Sequence, residues 1–332
     1  MSLPEQASEC EENVRFQHIL FSNYEVNVSK NETVSLSPDG ERHERLLEAC
    51  RRSDVAAVEE VLGEVGGQEE KRRLLNWKGG EALRAALPKG GKAYYDDELQ
   101  ETSEGVEVVR AILRAGGDAN EKICFAGGGL CSSGPDQCTP LIFATYFGLT
   151  ETARALLDKG RARTEERCKN WERTALGWTA WKKHDKVMRM LLDAGAEKNA
   201  SDRLGRTALM WGAGTDNDKV VRMLVDAGAD MEQVDVDGCT AVTLAAKRGL
   251  ASVVALLANA GAKVFTEDKH GKSAVSHAME RERSDVLESL IAAGINWEGK
   301  EEKNEEEDLS HNPVDHVHLR NADVALWRLE KR

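Results

Sequence analysis

The sequence predicts an all-α solenoid of about seven helix-turn-helix units joined by hairpin-like connectors. Two landmarks carry that expectation. A hydroxyl residue opening a helical stretch recurs at Thr139, Thr174, Thr207, Thr240 and Ser273, in steps of 35, 33, 33 and 33 residues. A glycine closing a second helical stretch recurs at Gly160, Gly195, Gly228, Gly261 and Gly294 with the same four steps. A repeat of 20–50 residues held by separate landmarks is the signature of stacked units that share one continuous core.

Each unit has a mechanical reading. The hydroxyl is an N-cap that accepts a hydrogen bond from a free backbone N–H at the start of the first helix. An apolar residue follows (Leu141, Leu176, Leu209, Val242, Val275), then small ones at Ala144, Ala180, Ala213, Ala245, Ala246 and Ala278. Small side chains there let neighbouring helices approach closely. A second helix follows, with an apolar stripe such as Val187, Leu191 and Leu192, or Val220, Val221, Leu224 and Val225. Spacings of three and four put each stripe on one helix face. The closing glycine is expected in a left-handed cap, where a Cβ would clash. A further glycine before the next helix (Gly205, Gly238, Gly271) predicts a tight turn between units.

These runs resemble the ankyrin-repeat family. The resemblance is carried by Thr207-Ala208-Leu209, by Gly238-Cys239-Thr240-Ala241-Val242 and by Leu191-Leu192-Asp193-Ala194-Gly195-Ala196, over roughly residues 136–297. The sequence departs from the family at two places in the first turn. Proline is kept at Pro140 alone. The histidine two positions later, which in the family braces the turn with the threonine, is replaced by Ile142, Gly177, Met210, Thr243 and Ser276.

Upstream the pattern continues through insertions. A unit starts near Asn76–Ala86 and ends in Gly116-Gly117-Asp118-Ala119-Asn120, with extra residues near 88–103. More extra residues lie near 124–137. Glu44 to Leu62 reads as a helix pair broken at Ser53-Asp54 that caps the array. The expected organisation is a polar segment at 1–40, the solenoid at 41–297, an acidic linker at 298–319 and a short C-terminal helix at 320–332 that covers the last repeat.

The resemblance implies that first helices and hairpin tips line a concave face that binds a protein partner. In register, one column holds Phe143, Trp178 and Trp211 and a second holds Tyr146 and Trp181, so five aromatics gather in a chain with only 5% of them. Tryptophan and tyrosine are enriched at interface hot spots because they bury much area and keep a polar handle. At the tips, Arg203, Asp235, Asp237 and Lys269 offer mixed charge to a polar partner surface. We therefore expect a non-catalytic adaptor or scaffold, with the regulatory subunit of an enzyme complex as the alternative.

A formal net charge of -13 excludes a general binder of the phosphate backbone, which needs a basic face. No apolar stretch is long enough for a membrane span. Irregular cysteines without a secretory leader read as reduced thiols, and the chain is expected in the cytoplasm or nucleus. Neither a cofactor nor a metal is expected. Cys124, Cys131 and Cys138 are seven apart, with Cys168 beyond, whereas structural zinc sites favour pairs two to four apart. His311, His316 and His318 read as a surface tail. The glycine-rich runs Gly127-Gly128-Gly129 and Pro88-Lys89-Gly90-Gly91-Lys92 lack the spacing and closing residues of a phosphate loop.

Overall fold

A computed structural model describes residues 38–77, 80–88, 100–125, 136–169 and 171–295. The N-terminal segment, the acidic run and the C-terminal helix expected at 320–332 lie outside the described residues, as do Cys131 and the three tail histidines.

Seven helix pairs follow one another. They are α1 (Pro38–Arg52) with α2 (Val55–Gly63), α4 (Glu81–Ala86) with α5 (Ser103–Arg114), and α6 (Pro140–Phe147) with α7 (Thr150–Asp158). Then come α8 (Ala175–Lys182) with α9 (Asp185–Asp193), and α10 (Ala208–Gly214) with α11 (Asp218–Asp226). The last are α12 (Ala241–Arg248) with α13 (Ala251–Asn259), and α14 (Ala274–Glu280) with α15 (Ser284–Ala292). One helix, α3 (Gln68–Leu75), stands outside the pairing. Its acidic-then-basic run buries just Leu74 and Leu75, so it has little apolar periodicity to betray it. A second unexpected element is a two-stranded antiparallel ribbon, β1 (Ile123–Phe125) and β2 (Asp136–Cys138), in which Cys124 pairs with Gln137.

The caps form as the chemistry requires. The hydroxyls of Thr139, Thr174, Thr207, Thr240 and Ser273 accept from the N–H of Ile142, Gly177, Met210, Thr243 and Ser276 at 3.2–3.4 Å. Those donors sit at the positions where the family histidine is missing. In the last two pairs a second hydroxyl takes over part of its bracing, with Thr240 Oγ1 to Thr243 Oγ1 at 3.0 Å and Ser273 Oγ to Ser276 Oγ at 3.1 Å. Helix α7 lacks a side-chain cap of its own. The Glu101 carboxylate reaches it from the preceding unit, accepting from the N–H of Glu151 and Thr152 at 2.9 Å each. A negative charge on free amides at a helix N-terminus is stabilising.

Four of the five closing glycines are left-handed as expected, at Gly195, Gly228, Gly261 and Gly294. Gly160 is not. The positive φ falls one residue later, on Arg161 (φ 49°). Glycine is needed at 160 for room instead: a Cβ there would lie 2.7 Å from the Ala119 Cβ and 2.8 Å from the Leu156 carbonyl oxygen.

First helices pack on first helices and second helices on second helices, giving two layers. The core between them repeats with the chain: Val187, Met188 and Leu191, then Val220, Val221 and Leu224, then Val253, Val254 and Leu257, then Val286, Leu287 and Leu290, all buried. A polar ladder stitches the connectors as well. Side-chain oxygens of Asn76, Asn120, Glu165, Asn199 and Glu232 accept from the backbone N–H of Asp118, Arg163, Glu197, Asp230 and Lys263 at 2.6–3.0 Å, one unit on.

The ladder generates a prediction. Asn199→Ala removes the acceptor of the Asp230 N–H and is expected to cost about 1 kcal/mol. Asn199→Asp keeps an acceptor and should stay close to wild type, with urea-unfolding midpoints as the readout. Equal losses in the two variants would show that the link carries no stability.

Candidate protein-binding face

Three successive hairpin tips are built on one residue type, while the tip before them is closed by the Cys168 backbone. Asp202, Asp235 and Asp268 each use Oδ1 to accept two backbone N–H groups of their own turn: Leu204 and Arg206, Asp237 and Cys239, His270 and Lys272, all at 2.9–3.0 Å. Adjacent tips are joined through the backbone. The N–H groups of Arg203, Val236 and Lys269 donate to the carbonyls of Trp171, Leu204 and Asp237, each at 2.9 Å. Gly205 (φ 72°) is required at this joint, because a Cβ would sit 3.1 Å from the Val236 nitrogen.

The second carboxylate oxygen faces inward and meets the preceding repeat. Arg173 donates through Nε (3.1 Å) and Nη2 (2.9 Å) to Asp202 Oδ2, and Trp211 Nε1–H donates to the same oxygen at 2.9 Å. Arg206 Nε donates to Asp235 Oδ2 at 3.1 Å. At the third tip the corresponding position is Cys239, 3.9 Å from Asp268 Oδ2, and His277 Nε2 supplies the close bond at 2.8 Å.

Arg173 and Asp202 are almost dry, with side chains 4% and 1% exposed. Burial pulls the Arg173 guanidinium below its usual value, against the opposing pull of the Asp202 carboxylate. The guanidinium lies between two indoles, 3.8 Å from the Trp211 ring centre and 4.3 Å from that of Trp178. Cation–π contact of this kind helps offset the lost hydration. Gly177 makes the space, since a Cβ there would approach the Arg173 Cγ to 2.8 Å.

Around this core the aromatics form a connected chain. Ring centres are 5.3 Å apart for Tyr146–Trp178, 5.6 Å for Trp178–Trp181 and 6.4 Å for Trp181–Trp211, the last edge-on. Lys182 Nζ lies 4.4 Å from the Tyr146 ring centre and 4.9 Å from that of Trp181.

Not all five aromatics face outward as expected. Phe143, Tyr146 and Trp178 are 4%, 5% and 3% exposed, because the slots between neighbouring first helices need large apolar side chains. Trp181 and Trp211 are half-buried. Among the tip residues, Arg203, Asp237 and Lys269 are exposed. Asp235 is not, its side chain being fully covered against Arg206. Sequence reasoning missed Arg173 and Arg206 as partners of the tip aspartates. The signal was present as a spacing of 29 residues from Arg173 to Asp202 and again from Arg206 to Asp235.

Burial pushes the Cys50 thiol up to about 12 and the Cys239 thiol up to about 11, so both are protonated at neutral pH. Among the described residues no group of three or more His, Cys, Asp or Glu side chains is arranged to hold a metal.

Two outcomes follow for stability. Asp202→Ala strands the Arg173 charge between the indoles and is expected to cost about 3–5 kcal/mol, read as a lower urea midpoint. The third tip is sensitive to acid. Burial lowers the His277 pKa below 6.5, outweighing the raising pull of Asp268, so its neutral form is favoured on folding. Burial alone would raise the Asp268 pKa, but hydrogen bonds from His277 and the N–H groups of Lys272 and His270 bring it down to about 2. Both folded pKa values are depressed, so both contributions are complete above the unfolded pKa and are lost on acidification. Stability should fall first below the unfolded His value of about 6.5, and again below the unfolded Asp value of about 3.9. His277→Gln should remove the first decline, as measured by unfolding midpoints from pH 7 to pH 5.

The family model described as "Ankyrin repeats (3 copies)" matches residues 101–202 and 209–300, more than half of the chain. No curated protein matches it. A 33-residue helix-pair period, capped by a hydroxyl at one end and a glycine at the other, agrees with that match over the same stretch, and the chain belongs to the ankyrin-repeat family.

Proposed function

We propose that the chain is an adaptor or scaffold that holds a protein partner on the face made by its first helices and hairpin tips. Ankyrin repeats generally mediate protein–protein interaction. The observation that carries the finer reading is the partly buried Trp181–Trp211 pair at the rim, held in place from behind by the Arg173–Asp202 ion pair. Rigid aromatics lose little freedom on binding, and interface energy concentrates in such anchors. Arg203, Asp237 and Lys269 on the adjoining tips supply charge that selects among partners. The work is binding rather than catalysis, and it needs no cofactor. Among the described residues no helix is long and apolar enough to cross a membrane. Seven irregularly spaced cysteines suit a reducing compartment, cytosolic or nuclear.

Trp181 is the better residue to test, because Trp211 also holds the Asp202 carboxylate and its loss would disturb the tip. Full-length protein carrying Trp181→Ser or Arg203→Glu, immobilised and compared with wild type by quantitative mass spectrometry of captured proteins, is expected to lose partners about tenfold or more. The fold should stay cooperative in both, with the unfolding midpoint near wild type for Arg203→Glu and lowered for Trp181→Ser by the loss of its partly buried ring. Retention of the same partners at the same yield in both variants would sink the reading.

A further inference from the structure

The joints between repeats use one pair of positions whose chemistry changes along the stack. The residue before each helix cap meets the residue that opens the next hairpin tip. At three joints the pairs are Arg173 with Asp202, Arg206 with Asp235 and Cys239 with Asp268, each 29 residues apart. One unit earlier both positions are cysteine. Cys138 precedes the capping Thr139 as Cys239 precedes Thr240. Cys168 opens its tip as the aspartates open theirs. Its N–H donates to the Arg173 carbonyl at 3.2 Å, where Asp202 donates to Arg206 and Asp268 to Lys272. The separation is 30 rather than 29 because the connector from Gly160 to Cys168 is one residue longer than the one from Gly195 to Asp202.

Trp178 supports the equivalence independently. Asp202 accepts from the Trp211 indole and Asp268 binds the His277 ring, each on the first helix after its own tip. Trp178 holds the same place after Cys168, and its buried Nε1–H has no hydrogen-bond partner among the described residues. A thiol, a weak acceptor, stands where the other joints put a carboxylate. Both cysteines are buried, at 0% and 1% exposed, and neither is part of a disulfide. The Cys239 joint gives the scale, for its Sγ lies 3.9 Å from Asp268 Oδ2. Sulfurs at both positions of such a joint stand about 4–5 Å apart, and side-chain rotation with a small backbone shift closes that to the roughly 2 Å of a disulfide.

We propose that Cys138 and Cys168 form a disulfide site, oxidised by a peroxide, that puts a covalent link between the third and fourth helix pairs where later joints have an ion pair. One thiol attacks the O–O bond of hydrogen peroxide and becomes a sulfenic acid, releasing water. The second thiol attacks that sulfur. The S–S bond forms, and the sulfenic hydroxyl leaves with the second thiol's proton as another water. Two electrons pass from the sulfurs to the peroxide. Burial makes the reaction depend on local opening of the tip, so it is slow beside that of an exposed thiol. In a reducing compartment the link is transient, and exchange with a thiol reductant opens it again. It fixes α6 against α8, the helices that carry Tyr146 and Trp178 at the buried end of the aromatic chain leading to Trp181.

The test holds folded, full-length protein in hydrogen peroxide, blocks remaining thiols by alkylation, digests without reduction and reads the peptides by mass spectrometry. The expected product joins Cys138 to Cys168, is lighter by two hydrogens than its two parts, and is cleaved by dithiothreitol. Oxidation should raise the urea-unfolding midpoint of wild type by about 1 M, because the link restricts the unfolded chain. The shift should reverse with reductant and be absent in Cys168→Ser. It should persist in the double variant Cys124→Ser, Cys131→Ser, which keeps the proposed pair and removes its nearest competitors in sequence. Pairing of Cys138 or Cys168 with Cys124 or Cys131 instead overturns the proposal. So does oxidation of Cys168 to a sulfinate without a link, or a link that forms in the urea-unfolded chain alone. A link that leaves the midpoint unchanged or lowers it overturns the proposal as well, since the folded joint then does not accommodate it.

Discussion

A buried aspartate carboxylate at each of three successive hairpin tips, Asp202, Asp235 and Asp268, is the joint on which the later repeats of this solenoid depend. One oxygen closes the turn through two backbone amides, and the other reaches across to the neighbouring repeat. A single side chain therefore sets both the local shape and the register between units. Its position is expensive to maintain, because a carboxylate removed from water must be matched by several hydrogen bonds. The structure meets that demand in three different ways. Asp202 takes a dry arginine and an indole N–H, Asp235 takes an arginine that is partly in solvent, and Asp268 takes a histidine with a thiol nearby. Along the stack the partner changes from a buried cation to a neutral ring, which is why acid acts on the last joint and leaves the Arg173 joint charged.

The same joint shapes the binding face. Turning the tip carboxylates inward removes three negative charges from the surface and leaves Arg203, Val236, Asp237, Lys269 and His270 exposed at the tips. Trp211 belongs to both worlds. Its N–H holds Asp202, and its ring covers Arg173 and reaches the edge of Trp181. The partly buried pair is consequently stiff, and recognition by stiff aromatics loses little entropy on binding. Stability and recognition are thus coupled most tightly at Trp211, which holds Asp202, and less so at Trp181, which makes ring contacts alone.

Away from the tips the array behaves as a chain of nearest neighbours. The asparagine and glutamate ladder links each connector to the next, the second helices repeat one apolar triplet, and the main helix contacts among the described residues join adjacent units. Stability in such arrays is roughly a sum of unit and interface terms. Insertions are tolerated where they leave those interfaces alone, and here one of them contributes: Glu101, at the end of the first insertion, caps a helix in the following unit.

The period, the caps, the apolar stripes and the family were legible in the linear sequence, because each depends on residues a few positions apart or one repeat apart. Five helix pairs follow from them directly, and two more at the N-terminal end were reached through the insertions. Helix α3 was not legible, since eight residues burying two leucines leave almost no periodic trace. The glycine at 160 was read for the wrong property, because sequence shows that a side chain is absent and not whether backbone angle or room demands it. The aromatic columns were placed correctly in register, but register does not tell which ring fills the slot between helices and which stands at its mouth. Phe143, Tyr146 and Trp178 are enclosed by the next helix, while Trp181 and Trp211 remain at the rim. Local chemistry thus determined the elements and their order. Burial, and with it the division between core and binding face, was decided by packing one repeat on another, because accessibility belongs to neighbours that are distant in sequence.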